Sequence, residues 1–435
     1  MAFRKIFFWT HLAAGVVAGS VILIMSVTGT LLTFQQSVLK MIERDHRVVT
    51  PPADGSQRLP VDVLLQSVRT ALPDAQPATL TLDSDPTAAA AVALGTAGTA
   101  YVDPYTGQVL GFGSPRARAF YRSVTNWHRW LAVEGEGRAT ARAITGACNT
   151  AFLVLAVSGL YLWWPRQWTA KHLLAVVWFK RGLRGKARDF NWHNAIGFWC
   201  APVIIVLTAT GMVISYTWAS NLVYTITGSP RPAPAAGRGG GPAAENGPAG
   251  QGRGRGNATA AAERPAARPA DTSGAQTVAA GASHAGPPPT LDSLVARAAG
   301  QVPTWRTMVI RLPRGQSGPV AFTISDREHW NSFARSTLTL DGGTGADIRW
   351  EPYAGTSLGQ KVRGWMRFAH TGELGGIPGE AVAGLASAGG GFLVWTGIAL
   401  SLRRLAAWRG RRRRVATQQP VLLPMEEDER TSRVA

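Results

Sequence analysis

Two stretches of the chain decide its fold: WTHLAAGVVAGSVILIMSVTGTLLTF (Trp9–Phe34) and NWHNAIGFWCAPVIIVLTATGMVISY (Asn191–Tyr216). In each, a histidine is followed four residues later by a glycine, seventeen residues later by Thr-Gly, and twenty-three residues later by an aromatic side chain. Because matched spacing of this kind marks a repeat, we interpret the chain as two repeated halves.

Both stretches are long enough to cross a membrane. Each continues for more than 20 residues after its histidine without a charged side chain, and at a rise of 1.5 Å per residue about 20 apolar residues cross a hydrocarbon core of about 30 Å. The first run is too long for a secretory signal peptide and lacks a small-residue cleavage site after it, so we expect a retained anchor.

The composition agrees with a membrane protein. Of 435 residues, 46% are hydrophobic and only 16% are charged. The net charge of +19 does not indicate nucleic-acid binding, because the basic residues cluster beside apolar segments and so act as a topology signal. Cys148 and Cys200 lie within apolar segments and are interpreted as buried small side chains instead of a disulfide or metal pair.

Four spans are predicted, and the basic residues orient them. Arg4 and Lys5 precede the first span, and further basic clusters occupy the loop 165–192 and the tail 403–435, so both termini are expected in the cytoplasm. Residues 35–142 and 291–380 then face outward, each as an α+β domain with one helix and several short strands. Residues 219–290 are rich in Gly, Pro, Ala and Arg and are predicted to form a disordered linker. The predicted spans are 12–34, 143–164, 193–218 and 381–402.

Four of the eight histidines hold equivalent places in the two halves. His11 and His193 begin the first and third spans on the cytoplasmic side, whereas His128 and His370 precede the second and fourth spans on the outer side. Each membrane face thus has a histidine from each half, and imidazole is a normal axial ligand of haem iron. The pattern predicts one haem near each face.

The residues near these histidines allow two interpretations. Gly15, Gly19, Gly197 and Ala201 lie four and eight positions after His11 and His193, where small side chains leave either a groove for a flat macrocycle or a surface for close helix packing. Three arginines flank the outer pair and are either partners of haem propionates or interfacial cations: Arg129, Arg363 and Arg367.

Other cofactor motifs are missing from the sequence. It has no zinc-ligand spacing, no Gly-x-Ser-x-Gly elbow and no Gly-x-Gly-x-x-Gly between a strand and a helix. We therefore expect electrons to come from a membrane quinol or a cytoplasmic reductase.

Several motifs resemble the PepSY-associated transmembrane family of bacterial inner membranes. These are YVDPYTGQVLG from Tyr101, TLTLDGGTGADIRW from Thr337, WHRWL from Trp127 and SGLYLWWPR from Ser158. The resemblance implies PepSY-like periplasmic domains and b-type haems, with ligands at His11, His128, His193 and His370.

The resemblance also implies an activity, because some members reduce ferric siderophores in the periplasm. On this hypothesis the chain is a transmembrane, haem-dependent ferric-chelate reductase. The competing hypothesis is a non-enzymatic envelope protein whose outward domains bind a peptide or protein partner. A permease is disfavoured, because the four spans carry no midplane carboxylate or lysine.

Overall fold

The computed structural model describes residues 2–164, 169–170, 174, 177–231, 288–313, 318–329, 331 and 334–417. The predicted basic loop, linker and tail lie partly outside these residues. The α-helices are α1 (Ala2–Thr33), α2 (Gln35–Ile42), α3 (Arg44–Arg47), α4 (Val61–Ala71), α5 (Pro115–Trp130), α6 (Arg138–Trp163), α7 (Gly185–Ser215), α8 (Thr217–Ile226), α9 (Leu291–Gln301), α10 (Leu358–Thr371) and α11 (Gly376–Thr417). The strands are β1 (Thr79–Asp83), β2 (Ala90–Ala93), β3 (Thr99–Val102), β4 (Val109–Phe112), β5 (Trp305–Arg311), β6 (Val320–Asp326), β7 (Arg335–Leu340) and β8 (Asp347–Glu351).

Four of these helices are long and apolar enough to cross a membrane: α1, α6, α7 and α11. They form a bundle in which α1 and α7 each pack against both α6 and α11. The helices extend beyond several of the predicted spans, most of all α11, which continues from residue 402 to Thr417. Arginine and alanine, which dominate that extension, both favour the helix once it leaves the apolar layer.

The bundle has two distinct ends. At one end the start of α1 meets the late part of α11, where the Arg404 guanidinium lies 4.9 Å from the Phe8 ring centroid and 4.8 Å from that of Trp9. We call this the basic end. The other, where α5 and α10 follow the strands, is the sheet end.

All eight strands join one antiparallel sheet in the order β4-β3-β2-β1-β5-β6-β7-β8. The sequence predicted two separate outward domains, at 35–142 and 291–380, but β1 pairs with β5 and unites them. Separate four-stranded sheets would leave β1 and β5 as unpaired edges, which the shared sheet avoids. Helices α4 and α9 cover one hydrophobic core together, and the Val61 N–H donates to Asp292 Oδ1 at 2.6 Å. That the two halves are repeats stays a prediction.

Two segments differ from the sequence prediction. Strand β8 was not predicted, because its DIRWE sequence lies at the sheet edge with little burial and lacks an apolar alternation. The predicted linker 219–290 begins too early, since α8 occupies its first residues and buries Ala219, Val223 and Tyr224. The helix breaks at Tyr216, where the backbone is extended.

The aromatic side chain that ends each repeated stretch packs into a glycine of a neighbouring helix. A Cβ built on Gly384 of α11 would lie 2.6 Å from Phe34, and one built on Gly146 of α6 would lie 2.6 Å from the Tyr216 hydroxyl. These glycines therefore allow α1 and α7 to approach their neighbours closely at the sheet end.

Candidate functional site

The four histidines of the repeat come together as two facing pairs. His11 on α1 and His193 on α7 form the basic-end pair, with ring centroids 6.4 Å apart and an interplanar angle of 85°. His128 on α5 and His370 on α10 form the sheet-end pair, with centroids 6.5 Å apart at 54°. Each pair thus draws one histidine from each half of the chain. Their role as ligands stays a prediction.

Every imidazole is held through Nδ1 by a hydroxyl on a different helix. His11 Nδ1 lies 2.9 Å from Ser158 Oγ, and His193 Nδ1 lies 2.8 Å from Thr396 Oγ1. At the sheet end, His128 Nδ1 lies 3.0 Å from Thr28 Oγ1. Backbone carbonyls are second acceptors: His370 Nδ1 lies 2.8 Å from the Leu207 carbonyl and 3.3 Å from Thr210 Oγ1, and the Met25 and Leu393 backbones bond His128 and His193.

Each of these hydroxyl residues is followed by a glycine that lies beneath the same imidazole. A Cβ added to any of the four glycines would contact Cε1 of the histidine ring. The distances are 3.4 Å at Gly159 to His11, 3.7 Å at Gly397 to His193, 3.4 Å at Gly29 to His128 and 3.1 Å at Gly211 to His370. A [Ser/Thr]-Gly pair in each spanning helix therefore forms a seat for one histidine.

The hydroxyl protons determine the tautomer of the rings. A hydroxyl has one proton, and in each threonine seat it is donated to a carbonyl of the same helix: Thr28 to Ile24 at 2.6 Å, Thr210 to Val206 at 2.6 Å and Thr396 to Phe392 at 2.9 Å. Ser158 likewise donates to Leu155, at 3.3 Å. The hydroxyl oxygen is then an acceptor for an Nδ1–H, so the unprotonated Nε2 is the nitrogen that remains for a ligand.

In the sequence, Thr28-Gly29 and Thr210-Gly211 marked the repeat, but their contact with a histidine was not predicted. The signal was present, because Ser158-Gly159 and Thr396-Gly397 place the same dipeptide in the other two spans. The dipeptide alone does not specify which histidine packs against each seat.

The predicted glycine groove is not what the structure shows. A Cβ built on Gly15 would lie 3.8 Å from the Leu155 side chain, and one built on Gly19 would lie 3.5 Å from the Val394 side chain. Gly197 packs against Leu393 at 3.6 Å. These three glycines contact neighbouring helices, as the helix-packing interpretation predicted.

The three predicted arginines lie at the sheet end with partners of their own. Arg363 Nε donates to Ser220 Oγ at 3.0 Å. The Arg367 guanidinium lies 5.8 Å from the Phe368 ring centroid and that of Arg129 lies 4.6 Å from the Trp130 ring centroid. Arg129 also experiences the charges of Arg142, Arg367 and Arg138. Several guanidinium groups thus make this end strongly positive beside the histidine pair.

The description "PepSY-associated TM region" belongs to a family model that matches residues 8–404, most of the 435-residue chain. The chain belongs to this family. The match covers all four histidines and their seats, and with the four apolar helices it identifies a PepSY-associated membrane protein. No curated protein matches the chain.

A bare metal ion would find too few protein ligands in this PepSY-associated protein. Among the residues that the structure describes, no three His, Cys, Asp or Glu side chains group as a metal site. Structural zinc takes four protein ligands and catalytic zinc three. Two imidazoles suffice only when something else supplies the remaining ligands.

Proposed function

We propose that this protein is a membrane electron-transfer protein that holds one b-type haem between the histidines of each pair and reduces a ferric chelate at the sheet end. The observation that carries the proposal is the pairing of imidazoles at 6.4 and 6.5 Å between ring centroids, each with its Nδ1 within hydrogen-bond distance of a hydroxyl. Membership of the family supports the membrane architecture but does not specify this activity.

The distance within each pair fits two imidazoles bound to one metal. Metal–imidazole bonds of about 2.0–2.1 Å place the two nitrogens about 4 Å apart, and adding roughly 1.1 Å from each nitrogen to its ring centroid gives about 6.3 Å. The porphyrin of a haem supplies the other ligands of its iron, so two imidazoles from the protein are enough. Haem supplies the one-electron chemistry.

The chain's own residues fix the ligands in place. A seat hydroxyl, or for His370 the nearer Leu207 carbonyl, accepts the Nδ1–H and leaves Nε2 as the free ring nitrogen, while the glycine of each seat leaves room for Cε1 of the ring. Two helices from different halves supply each pair, so the ligand geometry depends on the packing of the whole bundle.

The sheet end has the features expected for an anionic ferric chelate. Arg138, Arg142 and Arg367 are each close enough to Arg129 for their charges to interact with it, and Arg129 adjoins His128 of the sheet-end pair. Guanidinium groups recognise carboxylates through paired hydrogen bonds. The chelate is the substrate, and the electron donor is a quinol or a cytoplasmic reductase acting at the basic end of an inner-membrane protein with cytoplasmic termini.

One observation favours the alternative of a non-enzymatic binding protein. A cleft of about 680 Å³ lies beside edge strand β4, and its lining includes Val63, Gln66 and Thr70 of α4 as well as Val109. An edge strand next to a helix can receive an extended peptide as an additional strand. In that case the histidine pairs would have only a structural role.

An absorption spectrum distinguishes the two functions. The detergent-purified chain, expressed with ample haem supply, is measured oxidised and dithionite-reduced with haem quantified per chain. We expect reduced b-type bands and about two haems per chain, and reoxidation of the reduced protein by a ferric chelate. A colourless protein would refute the haem proposal and favour the peptide-binding alternative.

Thr396→Val tests the seat of His193. Valine keeps the shape of threonine but removes the acceptor that lies 2.8 Å from Nδ1. Loss of such a hydrogen bond to a metal-bound imidazole typically lowers metal affinity 10- to 100-fold, and the less basic ligand raises the midpoint potential of one haem. We expect both effects by haem titration and redox potentiometry, with recovery in Thr396→Ser.

Thr150→Val is the matched control for this seat. The Thr150 hydroxyl donates to the Gly146 carbonyl at 3.0 Å, as a seat hydroxyl does to its own helix, but its recorded hydrogen bonds include no histidine. An equal potential shift in Thr150→Val and Thr396→Val would contradict a specific role for the seat.

A further inference from the structure

Trp163 has a buried indole N–H without an acceptor. Its Nε1 is inaccessible to solvent and has no hydrogen-bond partner. Indole nitrogen can only donate, and a buried donor left unpaired costs about 1–3 kcal/mol. In the described part of the spanning helices, one other side-chain polar atom is in this state, Ser26 Oγ, which packs within 3.0 Å of a Cβ built on Gly390.

The orphan donor lies next to the basic-end pair. Trp163 follows Gly159 by four residues on α6, and positions four apart share one face of a helix. Gly159 is the glycine beneath His11. The indole is also stacked on Phe198 of α7, the helix that carries His193, with centroids 4.4 Å apart at 22°.

One arginine of α1 bonds the backbone beside this donor, and an arginine of α11 is paired with Asp189 of α7. Arg4 Nη2 donates at 2.6 Å to the carbonyl of Leu162, the residue before Trp163. Arg403 Nη2 lies 3.0 Å from Asp189 Oδ2, and Asp189 precedes His193 by one turn of α7. An acceptor that fits a lone N–H beside an arginine is an anion, and a carboxylate is the anion that haem carries.

We propose that the Trp163 Nε1–H donates a hydrogen bond to a propionate of the haem held by His11 and His193, so that the propionates of this haem face the basic end. The inference rests on the proposed function and adds a haem-binding residue to it. A charged carboxylate is costly in the hydrocarbon layer, which favours its placement toward the nearer aqueous side. The bond also satisfies the orphan donor.

Trp163→Phe removes the donor and keeps an aromatic ring against Phe198. We expect one of the two haems to dissociate at least about tenfold faster into excess apomyoglobin, because its hydrogen bond to a charged carboxylate is lost. The potential of the same haem should shift, and the other haem should be unchanged. In the wild-type protein, the resonance Raman propionate bending mode should respond to exchange in D₂O, and this response should be lost for one haem in the variant.

The control is Trp199→Phe, because Trp199 is 60% exposed and its Nε1 donates at 3.0 Å to the Val177 carbonyl. Equal dissociation rates in Trp163→Phe, Trp199→Phe and the wild type would overturn the inference while leaving the haem proposal intact. Absence of haem from the wild type would instead refute the proposed function. If Trp163→Phe does not fold, an unchanged wild-type Raman mode in D₂O also overturns the inference.

Discussion

His193→Ala is expected to leave one haem per chain instead of two, with the remaining haem keeping its midpoint potential. On the proposed function the substitution would remove one of the two imidazole ligands, and it leaves His11, 6.4 Å away between ring centroids, without its partner. A single imidazole does not reproduce the low-spin spectrum of two. His11→Ala should give the same result, and His128→Ala and His370→Ala should remove the other haem. The measurement is haem content per chain, with reduced-minus-oxidised spectra.

His329→Ala is the control for these substitutions. His329 lies after β6, and its Nδ1 is 2.7 Å from Asp326 Oδ1 in a hydrogen bond that does not involve the bundle. We expect two haems in this variant. The pairing would be wrong if His193→Ala and His128→Ala each removed the same haem, since the two substitutions act on different pairs.

Glu43→Ala is expected to destabilise the sheet and its attachment to α5 by about 3–5 kcal/mol, the cost of breaking a buried ion pair. Glu43 is 1% exposed and accepts hydrogen bonds from three segments. Arg118 Nε and Nη2 donate to its two oxygens, each at 2.9 Å, and Arg47 Nη2 donates at 2.8 Å. The Tyr101 hydroxyl donates at 2.7 Å and the Ser114 N–H at 3.1 Å.

This carboxylate connects the membrane-proximal helices to the sheet and to the helix that carries His128. Arg118 and Ser114 belong to the start of α5, and Tyr101 is on β3. Removal of Glu43 leaves the Arg118 guanidinium, with 18% of its side chain exposed, without its carboxylate. We therefore expect both a lower unfolding temperature and a weaker haem site at the sheet end.

The effect of Glu43 should depend on pH. Burial by itself raises the pKa of the Glu43 carboxyl, but hydrogen bonds from Arg47 and Tyr101 and the charge of Arg118 outweigh it, so the pKa lies below its ordinary value of 4.5. A depressed carboxyl pKa stabilises the fold above the unfolded value, and this stability is lost as the pH falls through the folded value. The difference between wild type and Glu43→Ala should therefore be full at pH 7 and shrink below about pH 4.5.

Tyr101 and Asp45 supply the comparisons for this prediction. Burial, together with the hydrogen bond to Glu43, raises the pKa of the Tyr101 hydroxyl to about 12, so it remains a donor across this range. Tyr101→Phe should cost about 1.5–3 kcal/mol, the net value of a hydrogen bond to a charged group. Asp45 is an exposed carboxylate two residues away, and Asp45→Ala should change the unfolding temperature little. An equal loss in Asp45→Ala and Glu43→Ala would contradict the argument.

The sequence by itself determined the features that depend on local pattern. Helix α4 spans Val61–Ala71, a stretch whose apolar spacing and following Pro73 are local signals of a helix in the predicted outward domain. The four membrane helices were predicted for the same reason, since an apolar run of sufficient length indicates by itself that the segment lies in lipid. The family was also evident from short motifs, and the match over residues 8–404 confirms it.

The tertiary structure alone decided which distant groups meet. No local pattern encodes that β1 pairs with β5 across more than two hundred residues, or that Glu43 is bound by Arg118. The sequence predicted that four histidines form two pairs, but the seats that hold them are hydroxyls and glycines on other helices, contributed by packing. Periodicity extends over one or two helical turns, whereas hydrogen bonds between helices depend on how the whole bundle is assembled, and this is why only the folded chain specifies them.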